Sequence, residues 1–191
     1  DCGNVNAGIT SGETAFGASY DFENGFTASV GVQTGNELLT DQTQDALALN
    51  AAYTGENYGV SITYVSAENA TLTDDDKATA FQGYYTLEGS LPSISVGYEV
   101  GDQGGVASNI DGFESFFVGL TWDEVGPGSA GIAAGHSNTV EGSEEAYMYE
   151  AYYDYPVNDG MTITPLLFIK ENTTAGQDDT TGVMVKTSFS F

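Results

Sequence analysis

Almost every side chain here that is able to do chemistry is an acid. The chain of 191 residues holds 28 Asp and Glu against 3 Lys and no Arg, for a net charge of −25. Asp21, Glu99, Asp123, Glu150 and Asp154 stand where polar residues alternate with apolar ones, and Lys170 and Lys186 are the cations at equivalent positions. Carboxylates displayed along a wet surface raise the local cation concentration and repel anions. These residues are therefore the expected lining of a water-filled passage that favours cations. Asp123 and Asp154 lie near turn signals, where a solvated strand-end charge is the alternative. The runs Asp74-Asp75-Asp76, Glu144-Glu145 and Asp178-Asp179 offer oxygen ligands that suit Ca or Mg weakly. Such runs are also simply solvated faces, and no glycine spacing here matches a calcium loop.

Other chemistry is poorly provided for. His136 is the single histidine and Cys2 the single cysteine, so no His or Cys cluster has metal-ligand spacing. Cys2 is either a free thiol or has its partner outside this chain. There is no GxSxG, no Cys–His pairing and no phosphate-binding loop. Acids abound, but nothing singles out a pair for glycoside hydrolysis. The expectation is a protein that is not an enzyme and carries no cofactor. A basic surface is what nucleic acid requires, and this balance excludes it as a partner. Asn69-Ala70-Thr71 and Asn172-Thr173-Thr174 match the glycosylation pattern without further support.

The elements that must position these acids are strands. The last residues read TGVMVKTSFSF: Val183, Val185, Thr187, Phe189 and Phe191 alternate with Met184, Lys186, Ser188 and Ser190. That period of two marks a strand with one apolar and one polar face. The same alternation recurs in pairs. Phe16 to Phe22 turns at Glu23-Asn24-Gly25 into Phe26 to Val32, and Leu47 to Tyr53 turns at Gly55-Glu56-Asn57 into Tyr58 to Tyr64. Phe81 to Leu87 returns as Ile94 to Val100, Phe116 to Trp122 as Ala130 to Ala134, and Tyr147 to Tyr155 as Ile163 to Ile169. Longer polar loops join the pairs, near 34–44, 66–78, 101–113 and 171–180, with a shorter one at 137–143.

Short turns alternating with longer loops, and runs of about nine to eleven residues, describe a transmembrane antiparallel β-barrel of the outer membrane. Barrel strands give no hydropathy peak, so the absence of an apolar run near 20 residues does not argue against one. Tyr20, Phe22, Phe26, Tyr53, Tyr58, Trp122 and Tyr155 gather beside the short turns, as an aromatic girdle at one interface would. Phe189 and Phe191 are the expected closing-strand signal for assembly. Counting gives about eleven strands, an odd number, with residues 1–12 in an outer loop and 13–191 carrying strands, periplasmic turns and outer loops. A complete bacterial barrel has an even count. The expectation is thus that 1–191 is the C-terminal portion of one larger barrel, partnered by its own amino-terminal portion and by outer-membrane lipid. The alternative is a secreted or cell-surface all-β adhesin or structural module, with the same strands around a dry core.

Phe116-Phe117-Val118-Gly119-Leu120-Thr121-Trp122, Ile163-Thr164-Pro165-Leu166-Leu167-Phe168, Gly55 to Tyr64 and the segment Gly182 to Phe191 together resemble cyanobacterial outer-membrane porins, the carbohydrate-selective or iron-uptake group. The likeness is spread over most of the chain. It implies a barrel of around sixteen strands, a homotrimer in the cell outer membrane, and passive diffusion of small ions and hydrophilic solutes. It also implies an amino-terminal half and a wall-binding domain that this sequence does not contain.

Overall fold

A computed structural model describes residues 14–34, 45–68, 75–102, 112–140, 142–174 and 176–190. Cys2, the loop 1–12, Asn69, Asp74 and Phe191 lie outside those residues. The chain is all β: β1 (Thr14–Asp21), β2 (Phe26–Thr34), β3 (Ala46–Thr54), β4 (Tyr58–Ala67), β5 (Asp76–Tyr85), β6 (Ser93–Asp102), β7 (Gly112–Val125), β8 (Gly128–Val140), β9 (Tyr147–Asn158), β10 (Met161–Lys170) and β11 (Thr180–Phe189). They form one 11-stranded sheet in chain order, each strand antiparallel to the next.

The turns follow local residue types. At Val125-Gly126-Pro127-Gly128, Gly126 has φ 63°, the sign a two-residue hairpin turn needs at its first position. At the first hairpin, Gly25 has φ 88°, and the Asp21 carboxylate accepts the Glu23 amide at 2.8 Å. The connections 22–25, 55–57, 86–92, 126–127 and 159–160 share one end of the sheet, and the others share the opposite end. Segregation by length is incomplete: 141–146 is shorter than 86–92, because β8 runs on to Val140 where a loop from 137 was expected.

Register brings the alternation of separate strands onto one surface. One ladder row runs Phe26, Tyr53, Val60, Gly83, Val96, Val118, Ala134, Tyr149, Ile169, Thr181 across β2 to β11. It begins beside a short turn at β2 and ends beside a long connection at β11, so the strands are staggered along the sheet. Directly paired residues share a face, and this face is predominantly apolar, with Lys77, Asp102, Glu114 and His136 in phase with it towards the long-connection end. It is also uncovered: Val183 is 70 % exposed, Val185 63 % and Phe189 61 %. Among the described residues, strands touch only their neighbours in sequence and no second layer packs on the sheet. The buried apolar set is small, comprising Val65, Ala78, Ala80 and Phe113. Among the described residues β1 does not pair with β11, and the sheet is open at both edges.

Candidate functional site

The other face carries the hydrophilic set. Its clearest row is Ser19, Ser29, Asn50, Thr63, Ala80, Glu99, Ser115 on β1 to β7. Neighbours in the row bond to each other: the Ser19 and Ser29 hydroxyls lie 3.2 Å apart, and Asn50 Nδ2 donates to Thr63 Oγ1 at 2.8 Å. Across β5 to β11 this face lines an open hollow of about 650 Å³, bordered by Gln82, Glu99, Ser115, Phe117, Met148, Glu150, Phe168, Lys170 and Met184 among others. The sheet curls around its polar side.

The hollow brings together Glu99, Glu150 and Lys170. Glu99 is only 4 % exposed, between Ala80 and Ser115 on the flanking strands. Glu150 is exposed to the hollow between Ala133 and Phe168, and Lys170 stands opposite Met148 and Thr180. The remaining expected residues are elsewhere. Asp21 caps the first turn, and Asp123 is exposed beside the turn at 126–127. Asp154 accepts a hydrogen bond from the Thr164 hydroxyl, and Lys186 is the direct partner of Thr164 on β11. The two lysines do lie on adjacent strands, but among the described residues Thr164, not a lysine, is the group that holds Asp154.

The hydrophilic face is less hydrophilic on β7 to β11 than alternation implied. Phe117, Met148, Tyr152, Leu166, Phe168 and Met184 share it with the acids. Several of its rings lie over glycines directly across the ladder, in the pairs Tyr84–Gly59, Phe117–Gly97, Phe113–Gly101, Tyr152–Gly131 and Phe168–Gly182. A Cβ on any of these glycines would sit closer than 3.0 Å to its ring. The glycines thus let large rings lie flat on the wall instead of projecting into the hollow. The signal was present in the sequence as glycines in phase with the polar set, but it is readable only once register is known.

Aromatic residues mark both ends of the apolar face. At the short-turn end the ring centroids of Tyr20 and Phe22 are 4.8 Å apart, those of Phe26 and Tyr53 4.6 Å, and those of Tyr53 and Tyr58 5.7 Å. At the long-connection end a second group forms, which the sequence did not disclose. Phe116 and His136 are 4.8 Å apart, His136 and Tyr147 5.6 Å, and Tyr147 and Tyr149 6.5 Å. Phe116 to Trp122 on β7, like Tyr149 to Tyr155 on β9, spans about 20 Å along the strand at the usual rise.

Comparison with protein-family models, curated proteins and solved structures finds no match to this chain.

Proposed function

We propose that this chain forms part of the wall of an outer-membrane β-barrel channel. Small ions and hydrophilic solutes pass it by passive diffusion, with cations favoured. The observation that carries the reading is the division of one uncovered sheet into two unlike faces. Soluble proteins rarely leave a contiguous apolar surface of more than a few hundred Å² open to water. Here that surface crosses all eleven strands, while the curled side holds Glu99, Glu150 and the polar rows. Lipid is the solvent that suits the first face and water the second. The stagger of the ladder adds support, because strands tilt and shear when a sheet closes into a barrel. An adhesin module would be expected to cover the same apolar face with a second layer.

The finer reading follows from the resemblance to cyanobacterial porins: a wall of around sixteen strands, trimeric, in the cell outer membrane. Unpaired strand edges are not tolerated in hydrocarbon. On this reading β1 and β11 are each joined by strands from the amino-terminal portion of the same barrel. No catalytic step, cofactor or binding cycle is required.

The test is ion selectivity. The protein, extracted in detergent with the strands that complete its wall, is inserted in a planar bilayer under a salt gradient. The reversal potential should show cation preference, and Glu99→Gln with Glu150→Gln should reduce it. A protein that forms no conductance, or partitions wholly into buffer without detergent, is not a porin.

A further inference from the structure

The strongest feature that the channel reading leaves unused is the surrounding of His136. This histidine lies on the apolar face of β8, directly opposite Phe116 on β7 and Tyr147 on β9, and it is 5 % exposed. Glu114 reaches it from β7, beside a bulge on β8 in which the three steps from His136 to Thr139 oppose two from Phe116 to Glu114. Such bulges commonly re-aim a side chain. Glu145 reaches it from the connection before β9. Ligand-capable atoms of Glu114, His136 and Glu145 all lie within 4.8 Å of one another.

We propose that Glu114, His136 and Glu145 form a binding site for a divalent transition-metal cation of the zinc type. Each of the three is oriented from outside. Tyr98 Oη donates to Glu114 Oε2 at 2.8 Å, and Tyr147 Oη donates to Glu145 Oε2. His136 Nδ1 is 3.1 Å from Thr139 Oγ1. When Nδ1–H donates to that hydroxyl, the lone pair sits on Nε2 and is free for an ion. Outer partners of this kind fix ligand orientation and imidazole tautomer in metal sites.

Charge argues the same way. Two carboxylates beside one buried imidazole carry up to two negative charges, at the edge of an apolar surface where isolated charge is costly. Of the three lysines in the chain, Lys170 and Lys186 stand in phase with the opposite face, and Lys77, in phase with this one, is exposed on β5 opposite Asp102, two strands from Glu114. Protonated imidazole would supply one positive charge, whereas a dication supplies two. Around a tetrahedral ion with ligands at about 2.1 Å, neighbouring ligand atoms are about 3.4 Å apart. The three side chains therefore need close by no more than about 1.4 Å on binding, with water filling the open positions. Imidazole nitrogen with carboxylate oxygen suits zinc-like ions over magnesium or calcium. The site stands whether or not the apolar face meets lipid.

The protein is titrated with Zn²⁺ by calorimetry at high ionic strength with excess Mg²⁺, which occupies the acidic loops. One saturable site per chain is expected, and Glu114→Gln and Glu145→Gln should each weaken it at least tenfold. Glu145 lies outside the strands, so that variant keeps the fold. Asp178→Asn with Asp179→Asn should leave the affinity unchanged. Co²⁺ bound to the same site should give visible absorption bands that shift or vanish in His136→Asn. Absence of a saturable Zn²⁺ site, or an affinity indifferent to both glutamate substitutions, overturns the proposal.

Discussion

Phe117 and Gly97 face each other across β7 and β6, and the phenyl ring lies over the glycine where any side chain would collide with it. The ring gains contact with backbone, and the hollow beside Glu99 keeps the space a projecting ring would take. Gly97→Ala forces the ring to turn. Overpacking of this kind costs typically 1–3 kcal/mol, so a loss of about that size is expected in denaturant unfolding. Phe117→Leu in the same chain should recover part of it. A Gly97→Ala protein as stable as the parent would show that the ring has another resting place.

That pair also shows where sequence stops being informative. The strands were legible because Phe16, Ala18, Tyr20 and Val183, Val185, Phe189 repeat with a period of two that no helix shares. Which side is apolar was legible for the same reason. Phe117, Phe168 and Tyr152 fall on polar-phase positions, and alternation alone marks them as errors in the pattern. Their sense comes from Gly97, Gly182 and Gly131 on the neighbouring strands, and register depends on turns and bulges that residue types fix only locally. The grouping at His136 was hidden for a related reason, since its members come from two strands and a connection. Its nearest sequence sign was a lone histidine at a strand end.

Val96 and Ser95 are adjacent on β6 and look to opposite faces. Val96 sits in the middle of the apolar row beside Val118, and Ser95 shares the polar face with Gly119. If the apolar face meets hydrocarbon, Val96→Lys places a charge near the bilayer midplane and costs about 2–4 kcal/mol. Ser95→Lys places its charge on the wet side and should cost much less. Folding into lipid vesicles, followed by denaturant titration, measures both. Equal effects of the two substitutions would mean that the faces do not differ in solvent.

Thr164 is nearly buried and its hydroxyl serves Asp154, with Lys186 beside it on β11. A hydrogen bond to a charged group contributes about 1.5–3 kcal/mol. Thr164→Val keeps the shape and removes the donor, so a loss in that range is expected. Asp154→Asn in the same background should add less than it does alone, a coupling that a double-mutant cycle reads directly. Strict additivity of the two would show that Thr164 does not hold the carboxylate.

The two open edges give the most direct check on how the sheet is completed. Among the described residues, amides of β1 directed away from β2, and those of residues 180–188 in β11 directed away from β10, have no ladder partner within this sheet. In a barrel wall they would be paired by further strands, since hydrocarbon offers them nothing else. Hydrogen exchange followed by mass spectrometry separates the cases. In the chain refolded alone, peptides from β1 and β11 should exchange far faster than those of β5 to β8, which are paired on both sides. In protein kept in its membrane or extracted intact, the edge peptides should approach the central ones in protection. Edges that exchange as rapidly in the membrane as in isolation would mean that no strands join them, and a sheet with such edges cannot be the wall of a closed barrel.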